Sequence, residues 1–459
     1  MIKHLFKVGL LAFSCLGPST IGFSQTADQA AFVSQIGAEI MGSRVAYNDL
    51  RVLCKTIGHR LSGSEQSFKA IQWGQDVLKK AGADTVWLQK VEVPVWERGS
   101  ESLHFITKGK KQKVEVLSLG NTTGTNGKVL KADIIEFATL EVLQNANPEL
   151  VKGKIVFLNM QFPMELTNTF EGYSKTSKVR WSGPSMAEAK GAVGYIMRSI
   201  STTYDDAPHT GVSHYTDGVP GIPSMAIGNT TADALAIALK QGNVDAEMIS
   251  NCKMKGTVTS YNVIGELRGS KYPNQYLLVG GHLDSWDVGE GAHDDGVGCI
   301  QSVEVLRAFK ALDYAPNHTL RVVLFMNEEN GNMGGKTYAA EAKSKGEKHT
   351  FALESDAGGF TPRGIGMVVP DAQRDQVKSW APLLQPFGLW DFTQVGAGVD
   401  IGPLKNDGVW AGELIPDNQR YFDVHHSRHD VFEAVNIREM NMGAAGITSL
   451  LYLIDQYWD

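Results

Sequence analysis

Four segments of the chain place histidine or carboxylate side chains at the end of an apolar run or inside a glycine-rich turn. The first, residues 275–298, ends its apolar run with His282 and Asp284, and Asp294 follows twelve residues after His282. The other three segments lie further along the chain and carry Glu328, Glu329, Asp356, His425 and His426. Histidines and acids packed between glycines and apolar runs are typical of a metal site rather than of a solvated loop.

The residue types in these segments indicate which metal chemistry they could perform. Imidazoles and carboxylates suit zinc, and two histidines with three carboxylates suit a pair of ions that share one bridging carboxylate. A pair of ions about 3.5–4 Å apart can activate a water and polarise a carbonyl oxygen. The predicted ligands are His282, Asp294, Glu329, Asp356 and His426.

Two further acids next to these ligands have predicted roles. The reaction needs a base for the proton of the water, and Glu328, adjacent to a ligand but not itself bound, fits that role. Asp284 lies two residues from His282 and could hold the other ring nitrogen of that histidine. Each segment alone also fits a simpler interpretation, such as a capped loop or a solvated acidic pair. Their order, each beside a strand or helix, favours one metal centre.

The elements that must position these residues follow an alternating pattern in the second half of the chain. Alternation of this kind predicts a three-layer α/β/α domain with a mixed central sheet, in which sites form at the carboxyl ends of strands. Strands are predicted at residues 263–267, 276–279, 320–326 and 351–354, and helices at 300–312, 336–342 and 437–457.

The first half of the chain divides into two parts. Residues 26–82 have a helical pattern and 86–95 a strand pattern. Residues 103–255 instead carry short β-like runs, at 114–119, 155–158 and 193–197, with no histidine or acid cluster at ligand spacing. We interpret 103–255 as a smaller, non-catalytic α/β domain inserted into a discontinuous catalytic domain of residues 25–102 and 256–459. The alternative is that it continues the first domain.

Composition limits the compartment and the partners. With 42% hydrophobic residues, 20% charged residues and a net charge of -7, the 459-residue chain is typical of a globular protein and unsuited to nucleic acid. Lys3, Lys7 and the apolar run that follows predict a signal peptide over residues 1–24, and a secreted or periplasmic protein. That run is too short for a membrane span, and the residues before Cys15 make a poor lipoprotein signal. Cys54, Cys252 and Cys299 show no disulfide framework.

The motifs together resemble a known family. The segments GGHLDSWDVGEGAHDDGVG, NEENG, ESDAGG and HHSRHD are similar to those of the co-catalytic dizinc exopeptidases, above all the plasma glutamate carboxypeptidase (carboxypeptidase Q) branch. The opening motif of the family is similar to IGHRLSGSEQS at residues 57–67, and residues 103–255 resemble the protease-associated domain that many members insert. The resemblance covers nearly the whole mature chain.

The resemblance implies a zinc exopeptidase with two Zn²⁺ per chain. Asp294 would bridge the ions, and the peptide bond after it would be cis. His282 and either Glu329 or Asp356 would bind opposite ions, with His426 completing the set. The implied substrates are dipeptides or short peptides with a free N-terminus, and the implied assembly is a homodimer. In this comparison Glu328 is the general base and Asp284 orients His282.

Some positions depart from the family pattern or extend it. His425 stands where some relatives have a tyrosine that hydrogen-bonds the oxyanion, so it is a candidate donor to the substrate. His293, before Asp294, either lines the site or has no role. Asp400, in the loop 396–408, is a candidate wall of the substrate pocket, although a solvated loop acid is an equal alternative.

Two other functions fit the same fold. A glutaminyl cyclase-like acyltransferase would typically use one metal ion, and a non-catalytic binding protein would have lost ligands. The complete set of five ligands and a base favours the hydrolase over both.

Overall fold

The computed structural model describes residues 27–215 and 220–458, so the signal peptide predicted at 1–24 lies outside the described residues. The helices are α1 Ala27–Gly42, α2 Val45–Val52, α3 Glu65–Ala81, α4 Leu140–Asn145, α5 Pro148–Val151, α6 Thr169–Thr176, α7 Lys178–Trp181, α8 Gly183–Ala189, α9 Asn229–Gln241, α10 Val297–Ala311, α11 Met333–Lys345, α12 Asp371–Ser379, α13 Ala381–Leu384, α14 Gly402–Asn406, α15 Tyr421–Val424 and α16 Ile437–Tyr457. The strands are β1 Thr85–Glu97, β2 Glu101–Thr107, β3 Lys110–Val114, β4 Leu117–Ser118, β5 Leu130–Phe137, β6 Ile155–Leu158, β7 Gly194–Arg198, β8 Ser224–Ile227, β9 Val244–Ser250, β10 Lys253–Leu267, β11 Tyr272–His282, β12 His318–Phe325, β13 Lys348–Glu354, β14 Pro362–Val368 and β15 Ala411–Pro416.

A mixed seven-stranded sheet organises the chain outside residues 101–250, hereafter called the catalytic part because it carries all the predicted ligands. Its order is β1-β10-β12-β11-β13-β15-β14. The four central strands β12, β11, β13 and β15 run parallel, whereas β1, β10 and β14 pair antiparallel at the two sides. Apolar residues on successive positions of β11 face opposite sides of the sheet, because side chains alternate along a strand.

Helices cover both faces of this sheet, as the three-layer prediction requires. Leu277 and Val279 pack in a core with α1, α3, α10 and α16. Leu278 packs on the opposite face with residues of α11 and α14. The carboxyl end of β11 is therefore buried between two layers, which confirms the predicted fold class.

A second sheet takes its eight strands from residues 101–250, hereafter the 101–250 segment. The order is β3-β2-β9-β5-β6-β7-β8-β4. The β1–β10 ladder runs from Thr85↔Glu266 to Glu97↔Lys253, and the β2–β9 ladder continues it from Glu101↔Ser250. One two-stranded ribbon thus carries the chain out of the first sheet and back into it.

The sequence predictions differ from the structure where polar strands are involved. The run predicted at 114–119 is interrupted: Val114 ends β3, and only Leu117–Ser118 form β4. Strand β10 begins at Lys253 rather than at residue 263, because its exposed first half is held by pairing with β1. Cys54, Cys252 and Cys299 are buried free thiols. In the described ranges, none of the helices is long and apolar enough to cross a membrane.

Candidate metal centre

The predicted ligands lie at the ends of neighbouring elements. His282 is the last residue of β11, and Glu329 and Asp356 follow β12 and β13. Asp294 lies in a kinked turn with non-helical backbone before α10, and His426 follows α15. Since β11, β12 and β13 run parallel side by side, their carboxyl ends meet at one edge of the sheet. The structure brings all five side chains to this edge.

The five side chains form two groups that share Asp294. In the first group, His282 Nε2 lies 3.1 Å from Asp294 Oδ1 and 3.2 Å from Asp356 Oδ1. In the second, His426 Nε2 lies 3.2 Å from Asp294 Oδ2 and 3.1 Å from Glu329 Oε2. The two oxygens of Asp294 therefore face different histidines. The sequence left open how Glu329 and Asp356 are shared between the two ions. In the structure Asp356 lies on the His282 side and Glu329 on the His426 side.

The donor set and its burial fit divalent cations. Three overlapping sets of histidine and acid side chains here have donor atoms within 4.8 Å of one another. Asp294 Oδ2 is buried and has no hydrogen-bond partner in the described part of the chain, although His426 Nε2 faces it. Burial, together with the neighbouring Asp294 carboxylate, raises the pKa of Glu329 to about 7. A buried excess of carboxylates with a free oxygen is an environment that a cation would stabilise.

Asp295 belongs to one of the close sets but has another task. Its Oδ2 accepts a hydrogen bond from the backbone N–H of His282 at 3.0 Å, and its Oδ1 accepts one from Gly298 at 2.9 Å. Both oxygens are thus engaged in shaping the turn. The Asp294–Asp295 peptide bond is cis, as the resemblance implies.

Asp284 contacts His282, but not in the predicted way. Nδ1 of His282 lies 2.9 Å from the backbone carbonyl of Asp284, so the carboxylate is not its partner. The carboxylate instead accepts from the backbone N–H groups of Asn327 and Glu328, at 2.6 and 3.1 Å. These two N–H groups lie in the turn after β12, where no strand partner supplies an acceptor. Asp284 therefore orients His282 through its main chain and the Glu328 turn through its side chain.

Glu328, the predicted base, lines a cavity of about 1000 Å³ in front of the two groups. Burial raises the pKa of Glu328 well above its usual value, and the neighbouring Asp356 and Glu329 carboxylates act in the same direction. Its backbone N–H donates to the carboxylate of Asp284 at 3.1 Å. The position suits a group that exchanges a proton with a molecule in the cavity.

Both parts of the chain form the cavity wall. Tyr173, Arg180 and Trp181 line it from the 101–250 segment, opposite Leu414 and Phe422 of the catalytic part. The segment therefore contributes to the cavity wall, and that it supplies no catalytic residue stays a prediction. Its sequence lacks ligand spacing because it contributes contacts around the ligands rather than ligands.

The other predicted site residues have different positions. The ring of His425 lines the cavity and stacks on that of His426, with centroids 3.5 Å apart, and its Nε2 lies 3.9 Å from Asp294 Oδ2. His293 packs against Phe360, with ring centroids 4.3 Å apart. Asp400 is only 1% exposed, and its backbone N–H lies 3.3 Å from Glu354 Oε1. Asp400 therefore does not line the cavity, and the prediction that it forms part of the pocket wall is corrected.

Gly398 and Val399, the two residues of the 396–408 loop just before Asp400, reach the cavity in its place. Burial and the negative charge of Glu354 raise the pKa of Asp400 well above its usual value. Its neighbourhood is thus the protein interior rather than the substrate space.

Two residues that the sequence did not single out hold the centre in place. Asp430 accepts from the backbone N–H groups of His293 and Asp294, at 2.7 and 3.2 Å. Arg60 is fully buried, and its guanidinium donates to the carbonyls of Leu283, Glu290 and Gly291. Two features of the sequence could have pointed to them. Asp430 is an acid four residues after His426, and Arg60 is an arginine inside the glycine- and serine-rich turn at 57–67.

Comparisons with known proteins agree with this geometry. The model of peptidase family M28 matches residues 262–450, which contain all five predicted ligands. Carboxypeptidase Q of Bos taurus is 34% identical over 95% of this chain and 92% of its own length. Carboxypeptidase Q of Homo sapiens is 34% identical over 89% of this chain and 85% of its own.

Solved structures show the same fold. The crystal structure of a peptidase M28 precursor from Shewanella amazonensis has a TM-score of 0.89 at 33% identity, covering 94% of this chain and 98% of that one. A zinc aminopeptidase from Bacillus subtilis shares the fold alone, with a TM-score of 0.66 at 20% identity over 90% of this chain and 95% of that one. From the relatives and the site together, the chain belongs to peptidase family M28 and is a metallo-exopeptidase related to carboxypeptidase Q.

Proposed function

We propose that the chain is a zinc-dependent exopeptidase that holds two Zn²⁺ ions and hydrolyses dipeptides or short peptides with a free N-terminus. The observation that carries the proposal is Asp294, whose two oxygens face two separate pairs of a histidine and a carboxylate. His282 and Asp356 would hold one ion, His426 and Glu329 the other, and Asp294 both. When bound, the ions supply Lewis acidity that activates water and polarises the scissile carbonyl.

The residues of the chain account for orientation and for the proton. The carbonyl of Asp284 accepts from Nδ1 of His282, which leaves the lone pair of Nε2 free for a metal. Glu328 lies in the cavity beside both groups, so it takes a proton from the attacking water and returns it to the leaving amine. His425 lines the cavity wall, and in this proposal it donates to the substrate oxyanion.

The charge of the cavity supports a free N-terminus on the substrate. The bound ions would offset the charge of the ligands Asp294, Glu329 and Asp356, which leaves the carboxylates of Glu328 and Glu413 to attract an ammonium group. The Bacillus subtilis neighbour is itself described as an aminopeptidase. The acids that line the cavity are Asp294, Glu328, Glu329, Asp356 and Glu413.

We also propose the cellular setting. The basic and apolar N-terminus supports export by a signal peptide at residues 1–24, to the periplasm or the medium. The resemblance supports a protease-associated domain over residues 103–255 and a homodimer. Size measurement of the purified chain by light scattering tests the dimer, and N-terminal sequencing of the exported chain tests the cleavage.

Replacement of the base separates metal binding from chemistry. A Glu328→Gln variant should bind zinc like the wild type and unfold at the same temperature, whereas kcat should fall about 10²–10⁴-fold. Glu433→Gln, at an exposed acid, is the matched control and should leave kcat unchanged. Full activity of Glu328→Gln would refute the mechanism.

A peptide panel tests the substrate class. Dipeptides with a free amine should be hydrolysed, and the same dipeptides with an acetylated amine should not. Zinc analysis of the same preparation should give two ions per chain. Hydrolysis of the acetylated peptides at the same rate would contradict the free N-terminus, and a content of one ion would contradict the paired centre.

A further inference from the structure

The loop that carries His426 is held from the 101–250 segment. The backbone N–H of Thr210 donates to the carbonyl of His426 at 3.0 Å. Nδ1 of His426 lies 3.2 Å from the carbonyl of Thr210, so the same residue contacts both the main chain and the ring. Nδ1 of His209 lies 2.7 Å from the carbonyl of His425. Two consecutive residues of one segment thus fix two consecutive residues of the other.

Arg180 holds the Thr210 loop against the histidine. Its Nη1 donates to the carbonyl of Thr210 at 3.1 Å and lies 3.2 Å from Nδ1 of His426, and its Nη2 donates to the hydroxyl of Tyr173 at 2.6 Å. The guanidinium rests on Gly211, where an added Cβ would lie 2.4 Å from Cζ. Arg180 is 7% exposed, so these contacts are shielded from water.

These contacts hold His426 in an unusual backbone conformation. Its φ is 59°, in the left-handed region that residues other than glycine rarely adopt. A conformation of this kind persists only where surrounding contacts determine it. The N–H of Thr210 fixes the carbonyl of His426, and the carbonyl of Thr210 accepts from its Nδ1, which directs Nε2 towards Asp294 and Glu329.

We propose that Arg180 and the 209–211 loop are positioning elements for His426, so that the 101–250 segment sets how tightly the ion on the His426 side is held. The inference rests on the proposed metal pair. The ion on the His282 side depends instead on Asp284, within the catalytic part. The two ions should therefore respond differently to changes in the 101–250 segment.

Zinc release from the full-length chain tests this inference. With a chromophoric chelator in excess, Arg180→Met should release one of the two ions at least about 10-fold faster than the wild type, and the second ion at the wild-type rate, since loss of a partner that orients a ligand costs 10–100-fold in metal affinity. Release at wild-type rates, with zinc bound, would overturn the inference.

Arg198→Met is the matched control. Arg198 is an arginine of the same segment, is 4% exposed, and contacts Asn159, Asn229 and Asp233 rather than the histidine loop. Its variant should leave both release phases unchanged. Equal acceleration of release by the two arginine variants would show general loosening of the segment and overturn the inference.

Tyr173→Phe covers the case in which Arg180→Met does not fold. It removes only the hydroxyl that accepts from Arg180, and it should accelerate the same single phase to a smaller extent. Unchanged release from Tyr173→Phe would then overturn the inference. A wild-type chain that binds no zinc would instead contradict the proposed function, so the two failures are distinguishable.

Discussion

At the scale of single residues, the main chain around the ligands is held by side chains that are not themselves ligands. Asp430 engages both N–H groups that lead into Asp294. Asp284 does the same for the N–H groups that lead into Glu328. In both cases a buried carboxylate satisfies two backbone donors at a turn, where no strand or helix supplies acceptors.

Asp430→Ala should destabilise the fold and weaken metal binding. The substitution leaves two buried N–H groups without an acceptor, which costs about 2–5 kcal/mol in the free energy of unfolding. Chemical denaturation and zinc analysis measure the two effects. The exposed acid Glu433, replaced by alanine, is the control, and an Asp430→Ala chain as stable as that control would contradict the prediction.

His209 should make the fold sensitive to mild acid. Burial holds the pKa of His209 at about 4, whereas the unfolded chain titrates near 6.5. Between these values only the unfolded chain binds the proton, so the free energy of unfolding falls as the pH falls from about 6.5 to 4.

Comparison with His209→Gln isolates this contribution. Relative to the variant, the wild type should lose about 1 kcal/mol per pH unit below pH 6, measured by denaturation at pH 7 and pH 5. His429→Gln, at a half-exposed histidine, should follow the wild type. Parallel pH profiles of wild type and His209→Gln would contradict the prediction.

At the scale of elements, the sequence predicts the elements that a local pattern defines and misses those that depend on pairing with distant residues. Helix α16 occupies the predicted range, 437–457, because its apolar stripe is regular and Asn436 caps its N-terminus. The early half of β10 escaped prediction because it is exposed and defined by its partner β1. Strand β14 escaped for a related reason, since it lies at the sheet edge and is defined by its pairing with β15.

The residues of the site also fall into those that local motifs predict and those that only long-range contacts reveal. Motif order and strand ends predicted which side chains meet at the sheet edge. The partner of Nδ1 of His282 was mispredicted, because spacing does not distinguish the carbonyl of Asp284 from its carboxylate. Arg60 and Thr210 act across more than 200 residues of chain, and no local pattern reports such contacts.

The side chain of Arg60 joins the turn at residues 57–67 to the loop 283–291 that precedes Asp294. Arg60→Met should leave the carbonyls of Leu283 and Glu290 without this donor, whereas the carbonyl of Gly291 keeps the N–H of Gly296. The change should cost about 2–5 kcal/mol in the free energy of unfolding. Arg60→Lys should recover little, since one ammonium cannot replace a fork of donors. Chemical denaturation is the measurement, with the exposed Arg51→Met as control. Full recovery by lysine would contradict the geometry.

At the scale of the whole molecule, the candidate centre ties distant parts of the chain together. Its predicted ligands span His282 to His426, and its wall includes the 101–250 segment. A ligand that binds only the folded state stabilises everything whose folding its site requires. The stability of the whole chain should therefore depend on metal.

Chelation should lower the unfolding temperature of the wild type by about 3–4 °C, as expected from about 3–4 kcal/mol of binding energy and an unfolding entropy of roughly 1 kcal/mol/K for this chain length. Differential scanning calorimetry with and without chelator measures the shift. His426→Ala should show a smaller shift, because one half of the centre is already lost. An unchanged unfolding temperature after complete zinc removal would contradict the coupling.

The ribbon formed by β1–β10 and β2–β9 imposes an order on folding. Pairing Glu97 with Lys253 across an unstructured intervening chain costs about 4 kcal/mol in loop-closure entropy. Once the 101–250 segment has folded, its own ladder holds Glu101 beside Ser250. The pairing of Glu97 with Lys253 then no longer carries this loop-closure cost. The β1–β10 ladder then forms pair by pair, starting from Glu97 and Lys253 beside the 101–250 segment. During synthesis β1 emerges early and stays without its partner until β10 leaves the ribosome.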